Sequence, residues 1–269
     1  IKMSIFNILD KRYKNTPNKI IYRFHDSKGN VIEEKSYKDI YEESKLISLN
    51  LLQCYNIVKG DRVIICMTPG IGYITTIWAC FLSGIIAVPV YPLDINKFES
   101  DLEKLYNIIN DSGAKVILTN SLLNNAYFFH KFYYYFKMPS VTWINVDNFK
   151  FNLYSNNYIT YFLQRYLNLL TNDKDFSYSP EISENDIAFI QFTSGSTSNP
   201  KGVALTHKNI TSNLLSIFNY ETIEELNIKQ KNKVMISWLP PYHDMGLIGF
   251  LINSVLLDAE LNFCSPFDF

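Results

Sequence analysis

The 269-residue chain is long enough to bury one large core, and its formal net charge of −1 excludes the strongly basic surface typical of nucleic-acid binding. The sequence has no basic stripe with interleaved aromatic residues either, so we expect no nucleic-acid partner. The cysteines have no paired short spacing, which argues against a zinc site and predicts reduced thiols in a cytoplasmic protein. They are Cys54, Cys66, Cys80 and Cys264.

The first predicted elements are a hairpin and a helix. A cluster of turn-forming residues separates two runs that are predicted to be strands, Ile20–Phe24 and Val31–Lys35. Ser36 can cap the helix that follows, and Asp39 at its third position favours the positive end of that helix. The helix is predicted over Tyr37–Gln53, where apolar residues recur at helical spacing.

An uncharged stretch from Val63 to Leu93 is longer than the ~20 apolar residues that a membrane span requires. Prolines and glycines interrupt it, however, and divide it into three elements. We predict a strand at Val63–Cys66, a helix at Ile71–Ser83 that ends at glycine, and a strand at Ile85–Tyr91. Two strands buried on both faces explain the missing charges, so we expect no membrane span.

Strands and helices continue to alternate after this stretch. Helices are predicted at Phe98–Asn110 and Leu122–Phe136, and strands at Val116–Thr119 and Val141–Val146. This alternation predicts an α/β domain with a largely parallel sheet. The stretch from Asp147 to Glu184 is rich in Asn and Tyr, and we interpret it as a surface excursion within the same domain.

A hydroxyl-rich loop follows the next predicted strand, Ile187–Phe192. Thr193–Thr197 contains four hydroxyl side chains and one glycine, and Lys201 follows an Asn-Pro turn before a second strand at Val203–Leu205. Successive backbone N–H groups in such a turn form a concave nest for anions, and a lysine adds a compact positive charge. The loop therefore suits a polyphosphate, although the same residue types also occur in ordinary solvated turns.

A second informative string runs from Trp238 to Gly249, after a strand predicted at Val234–Trp238. His243 and Asp244 lie between a Pro-Pro turn and the start of a helix that reaches Leu257. Asp244 can cap that helix, with His243 as an ordinary loop residue, or the imidazole can face a ligand. The histidines have no metal-ligand spacing, and no GxSxG elbow supports a Ser–His–Asp triad. A further helix is predicted from Thr206 to about Asn219, and a last strand at Leu261–Cys264.

Both strings resemble motifs of one enzyme superfamily. Thr193–Gly202 resembles the signature loop of adenylate-forming enzymes, which include acyl-CoA synthetases, luciferases and peptide-synthetase adenylation domains; Ser198 stands where that pattern usually has glycine. Trp238–Gly249 is similar to the corresponding motif of fatty acyl-AMP ligases. The resemblance implies an α/β fold of layered sheets flanked by helices, with residues 1–269 as the N-terminal part of one large AMP-binding domain.

The resemblance also implies an activity. A medium- or long-chain fatty acid would react with ATP to give acyl-AMP and pyrophosphate, and the acyl group would pass to the phosphopantetheine thiol of an acyl carrier protein. His243 would be catalytic and lie beside the reacting carboxylate, with Met245 and Gly246 near the mouth of the acyl channel. The residues implied to hold the departing phosphates are Thr193, Ser194, Gly195, Ser196, Thr197 and Lys201.

The same resemblance sets limits on this chain. The Mg²⁺ and adenine contacts are expected beyond the position of Phe269, so no metal ligand is assigned here and the isolated chain is expected to be inactive. Two alternatives stay open. The acceptor could be coenzyme A, as in acyl-CoA synthetases, or the chain could be a non-catalytic scaffold or lipid binder with a truncated adenylation fold.

Overall fold

The structure, a computed structural model, describes residues 5–127, 141–151, 181–193, 200–217 and 233–267. These residues form two β-sheets with helices between and beside them. The strands are β1 (Ile20–His25), β2 (Val31–Ser36), β3 (Arg62–Cys66), β4 (Ile86–Val90), β5 (Val116–Thr119), β6 (Thr142–Asn145), β7 (Ile187–Thr193), β8 (Lys201–Thr206), β9 (Val234–Ser237) and β10 (Glu260–Cys264). The α-helices are α1 (Ile5–Asn15), α2 (Tyr37–Cys54), α3 (Ile71–Ser83), α4 (Phe98–Ser112), α5 (Ser121–Ala126), α6 (Asp147–Phe151), α7 (His207–Ile217) and α8 (Asn253–Leu257), with a 3₁₀ turn at Ile95–Lys97 and a π-helix at Met245–Ile252.

The larger sheet has six strands in the order β6-β5-β3-β4-β7-β8. Its neighbouring strands are parallel except for the last pair, β7 and β8, which are antiparallel. The prediction of a largely parallel sheet is therefore confirmed. Helix α4 packs on one face of this sheet, where Phe98, Leu102 and Leu105 are buried against β3 and β4 residues such as Ile64 and Val88.

Helix α3 lies between the two sheets and packs against β1 and β2 on one side and β3 and β4 on the other. All of it except Gly72 is buried, so the absence of charge in this stretch reflects burial within the protein core. Trp78 and Phe81 are each 0% exposed, and burying each ring contributes about 2–3 kcal/mol of hydrophobic free energy. Gly84 ends the helix at φ 67°, as predicted, because this left-handed conformation is easy for glycine.

The smaller sheet has four strands in the order β2-β1-β10-β9. The predicted hairpin supplies the antiparallel pair β1–β2, and β10 from the far end of the chain lies parallel to β1, with Tyr22 opposite Leu261. Helix α2 begins after this hairpin with the predicted cap. The Ser36 hydroxyl accepts the Asp39 N–H at 3.2 Å, and the Asp39 carboxylate accepts the Ser36 N–H at 2.9 Å.

A cluster of charges ties the end of α8 to the start of the chain. Asp258 follows α8 in the left-handed region at φ 53°, and its carboxylate accepts the Tyr37 hydroxyl at 2.8 Å and pairs with Lys19 at 3.0 Å. The Arg12 guanidinium donates to two carbonyl oxygens of the last turn of α8 at 3.1 and 2.7 Å. Because Arg12 lies on α1, these hydrogen bonds join α1 to α8. Cations near a helix C-terminus are also stabilising. Helix α1 was not predicted from the sequence.

Two predicted segments are described only in part. Of the helix predicted at Leu122–Phe136, the structure contains α5 and Tyr127, whose hydroxyl donates to the Leu93 carbonyl oxygen at 2.7 Å; residues 128–140 lie outside the described residues. The predicted excursion begins with α6, in which Phe149 is 2% exposed and therefore belongs to the core. Residues 152–180 are outside the description, so the excursion stays a prediction there. Among the described helices, none combines the length and the apolar character that crossing a bilayer requires.

Candidate functional site

The polar loop lies between β7 and β8, as the sequence predicts. These strands form an antiparallel hairpin in which Thr193 is opposite Lys201, and the Thr193 hydroxyl donates to the Lys201 carbonyl oxygen at 3.4 Å. The ends of the loop are therefore held side by side. Four of the predicted phosphate-binding residues lie outside the described residues, so their role stays a prediction: Ser194, Gly195, Ser196 and Thr197.

Lys201 is exposed at the start of β8 and forms no ion pair with any described residue. Its ammonium group is therefore available to an anion. The glycine that follows it has a packing role, because a Cβ at Gly202 would lie 2.9 Å from the Phe192 ring and 3.0 Å from Ile190. The absence of a side chain at Gly202 thus lets Phe192 and Ile190 of β7 pack against the backbone of β8.

His243 lies in a turn that local backbone hydrogen bonds hold in shape. Its N–H donates to the Pro240 carbonyl oxygen at 3.1 Å, and its own carbonyl oxygen accepts the Leu247 N–H at 2.8 Å. The Asp244 carboxylate accepts the Met245 N–H at 2.7 Å, which confirms the predicted cap. The side chains of His243 and Asp244 are 66% and 67% exposed, and Nδ1 of the imidazole lies 3.4 Å from the carboxylate. Capping by Asp244 thus leaves the His243 ring open to a ligand.

The helix after this turn reaches Leu257 as predicted, but its first eight residues, Met245–Ile252, form a π-helix. The Asn253 N–H accordingly donates to the carbonyl oxygen of Ile248, five residues earlier. π-Helical segments are rare and occur frequently at functional sites. Gly246 lies so close to the turn that a Cβ there would be 2.1 Å from the Pro240 carbonyl oxygen. The close approach of helix and turn therefore requires glycine at this position.

Gln191 connects the two motifs. Its side-chain Nε2 donates to the carbonyl oxygen of Tyr242 at 3.2 Å. Gln191 precedes Thr193 by two residues and Tyr242 is adjacent to His243. The β7–β8 hairpin that flanks the predicted phosphate loop (the phosphate hairpin) and the turn Pro240–Asp244 (the histidine turn) are therefore neighbours in the fold. Gln191 was not among the site residues predicted from the sequence. The sequence did contain a signal for Gln191, because a polar amide inside an otherwise apolar strand needs a hydrogen-bond partner when it is buried.

Two tyrosine side chains at this junction are uncharged. Burial raises the pKa of the Tyr242 phenol, and it raises the pKa of the Tyr73 phenol well above its usual range, so both stay neutral at physiological pH. Among the described residues of β7 and β8, Lys201 is the one with a charged side chain. Across the ranges that the structure describes, no cluster of three or more His, Cys, Asp or Glu residues could hold a metal ion.

A separate crevice of about 330 Å³ opens beyond the carboxyl ends of β3 and β5. Two of its lining residues are joined by a hydrogen bond, which Asn120 donates to the Thr68 hydroxyl at 2.6 Å. Apolar and acidic side chains, including Phe24, Ile32 and Glu33, complete its lining. None of the residues predicted to hold phosphates or the fatty acid carboxylate lines this crevice, although Tyr73, a neighbour of Tyr242, does.

Comparison with known proteins identifies the family. The sequence matches the family described as AMP-binding enzyme over residues 9–269. The chain belongs to the AMP-binding enzyme family. The resemblance to adenylate-forming enzymes is thereby confirmed. Among curated AMP-binding enzymes, the medium-chain-fatty-acid–acyl-carrier-protein ligase JamA of Moorena producens (strain JHB) is 26% identical over 266 residues, 99% of this chain and 40% of JamA.

Similar proteins of known structure agree with this assignment. A fatty acyl-adenylate ligase from L. pneumophila, in complex with acyl adenylate and pyrophosphate, superimposes with a TM-score of 0.72 at 28% sequence identity. The superposition covers 99% of this chain and 40% of that ligase, which confirms the expected fold class. Ligase TtuA of Teredinibacter turnerae, also named for medium-chain fatty acids and acyl carrier protein, is 25% identical over 288 residues, 95% of this chain and 41% of TtuA. The chain thus spans about 40% of the length of these curated AMP-binding enzymes.

Proposed function

We propose that the protein containing this chain is a ligase that activates a medium- or long-chain fatty acid as its adenylate and transfers the acyl group to an acyl carrier protein. The observation that carries the proposal is the hydrogen bond from Gln191 to Tyr242, which makes the phosphate hairpin and the His243 turn neighbours. The names of JamA and TtuA support the fatty acid and the carrier protein.

In the proposed reaction, a carboxylate oxygen of the fatty acid attacks the α-phosphorus of ATP. The bond from that phosphorus to the bridging oxygen breaks, and pyrophosphate leaves. Lys201 and the loop Thr193–Thr197 would hold the departing phosphates through an ammonium group, hydroxyls and backbone N–H donors. Such reactions depend mainly on positioning and on stabilisation of developing charge, which these groups supply.

His243 is proposed to lie beside the fatty acid carboxylate and to orient it. Its backbone is fixed by hydrogen bonds to Pro240 and Leu247, while its imidazole is largely exposed. Met245, which is 62% exposed, and Gly246 would lie near the mouth of the acyl channel. Mg²⁺ commonly accompanies ATP in such reactions. The described residues contain no cluster of acidic or histidine side chains able to hold a metal, so none of them is proposed as a Mg²⁺ ligand.

The test is fatty-acid-dependent ATP–pyrophosphate exchange by the full-length protein. Replacing Lys201, Ser194 and Thr197 together by alanine should lower the exchange rate at least about tenfold, because the departing charge loses its donors. Lys208→Ala is the matched control, since this lysine is also exposed and lies next to β8 on α7. Exchange that is unchanged in the triple variant would remove the phosphate-binding assignment.

The acceptor of the acyl group needs a separate test, because a second candidate function, transfer to coenzyme A, has support of its own. FadD21 of Mycobacterium tuberculosis, which is provisionally named a fatty-acid–CoA ligase, is 24% identical over 269 residues. Offering the protein holo acyl carrier protein and coenzyme A in parallel should yield acyl-carrier product and no acyl-CoA. Acyl-CoA as the main product would favour the second candidate, and no exchange with any fatty acid would favour a non-catalytic scaffold.

A further inference from the structure

Gln191 is an unusual residue for its place in the fold. It lies in β7 between Ile190 and Phe192, which pack with the buried cluster under α4. Its own side chain points to the opposite face, because successive residues of a strand alternate. Its Oε1 atom is buried and has no hydrogen-bond donor among the described residues. A buried amide oxygen without a donor is destabilising, so stability alone would favour an apolar residue here.

The compensating contact is the hydrogen bond from Nε2 to the Tyr242 carbonyl oxygen at 3.2 Å. Hydrogen bonds of His243 to Pro240 and Leu247 fix the shape of the histidine turn, but they are local to the turn and to the helix that follows it. They do not fix where the turn lies relative to β7. The Gln191 amide does, because it joins the strand to the residue next to His243.

We propose that Gln191 is a positioning residue that sets the spacing between the His243 imidazole and the phosphate hairpin. The proposal rests on the function proposed above and goes beyond it by naming how the two motifs are kept in register. Thr193 lies on the same face of β7 as Gln191, two residues further along the strand. A shift of the turn along or away from β7 would therefore change the distance from His243 to the loop directly.

The chemistry explains why this spacing matters. The carboxylate beside His243 must attack a phosphorus whose departing phosphates are held by the loop and Lys201. Misplacing reacting groups by about 1 Å can cost ~10²-fold in rate. Substrate binding depends less on this spacing, because each substrate contacts its own motif. Loss of the Gln191 hydrogen bond should therefore lower kcat and leave both KM values nearly unchanged.

Gln191→Met tests the proposal in the full-length protein, since methionine keeps the length of the side chain and removes the donor. We expect kcat of ATP–pyrophosphate exchange to fall at least about tenfold, with KM for ATP and fatty acid changing less than about threefold. Val203→Ala is the matched control, because Val203 lies opposite Gln191 in the hairpin and is 47% exposed. Its kcat should stay within about twofold of wild type.

A double-mutant cycle with His243→Ala separates positioning from a general effect on folding. If Gln191 acts through His243, Gln191→Met should cause no further loss of kcat in the His243→Ala background. The same fold loss in both backgrounds would overturn the proposal, as would a wild-type kcat in Gln191→Met. If the wild-type protein shows no exchange, the proposed function fails. If Lys201→Ala abolishes exchange and Gln191→Met does not affect it, the positioning role alone fails.

Discussion

His207, the first residue of α7, gives the sharpest test of the energetics of this fold. Its side chain is 0% exposed, and neither ring nitrogen has a hydrogen-bond partner among the described residues. The ring contacts Phe81 edge-on at a centroid distance of 5.8 Å. Burial lowers the pKa of His207 to about 4, against the opposing effect of the Asp186 carboxylate and with a smaller contribution from the Lys59 ammonium.

The sign and size of the pH effect follow from this shift. The unfolded chain binds a proton at His207 near its ordinary pKa of 6.5, whereas the folded protein binds it near 4. Between these values the unfolded state holds more protons, so the free energy of unfolding falls as the pH falls. The full shift corresponds to about 3 kcal/mol in the free energy of unfolding. This stability is present above the unfolded pKa and is lost progressively as the pH falls towards the folded pKa.

His207→Leu removes the titrating group and keeps an apolar side chain of similar size. At about pH 7 we expect the free energy of unfolding to rise by about 1 kcal/mol, because losing two unpaired buried nitrogens outweighs losing the ring contact. At about pH 4 the advantage of the variant should grow by about 3 kcal/mol. Equilibrium unfolding in urea, followed by tryptophan fluorescence at fixed ionic strength across this pH range, measures both values.

Phe81→Leu is the control, because it removes the same ring contact and keeps the imidazole buried. It should destabilise the protein by a similar amount at every pH, since no titrating group is changed. The difference between wild type and His207→Leu is the decisive quantity, because titrating groups that do not interact with His207 cancel in it, and the effect of Asp186 is already contained in the folded pKa of about 4. A difference that stays constant from about pH 7 to about pH 4 would refute the assignment of a neutral, buried His207.

Two further predictions concern packing and charge. Gly246→Ala should lower the melting temperature by the equivalent of about 2 kcal/mol or more, because its Cβ would lie 2.1 Å from the Pro240 carbonyl oxygen. Gly249→Ala is the control, with a nearest contact of 3.3 Å to a flexible methionine sulfur, and equal melting temperatures would contradict the packing argument. Asp258→Asn should cost about 2 kcal/mol in urea unfolding, because a tyrosine hydroxyl and two cations lose their anionic partner. Glu34→Gln, at a more exposed ion pair, should lower the free energy of unfolding by less than about 1 kcal/mol. Equal losses for the two variants would show that the Asp258 cluster stabilises the fold no more than an exposed ion pair does.

The ends of helices were predicted well from the sequence where neighbouring residues alone determine them. The helix Ile71–Ser83 has its predicted bounds, because Gly84 supplies the left-handed residue that ends it. Helix α4 runs two residues beyond the predicted Asn110 and ends at Gly113 for the same reason. The cap at Ser36 was predictable because the capping contact involves residues three positions apart.

The division into two sheets could not be predicted from strand and helix patterns. Tyr22 pairs with Leu261 across almost the whole chain, and no local pattern specifies which strands become neighbours. Layered sheets were expected from the resemblance alone. Helix α1 did carry a signal, since its buried residues Ile5, Ile8 and Leu9 recur at helical spacing, but it attracted no prediction.

The π-helix after His243 was also beyond sequence reasoning. Met245–Ile252 is almost wholly apolar, so its hydrophobic pattern is the same for α- and π-winding. The close approach of Gly246 to the Pro240 carbonyl oxygen is a tertiary contact that this pattern does not encode either.

The two interpretations of the His243–Asp244 pair, a helix cap or a ligand-binding residue, turn out to be compatible. The cap uses the Asp244 carboxylate and the Met245 N–H, whereas the His243 imidazole contributes nothing to it and remains exposed. The cap and the backbone bonds of the turn hold the residue in place without using its side chain. We expect positioning to come from the Asp244 cap and from the Gln191 amide, so changes at these two residues should lower the rate more than they weaken substrate binding.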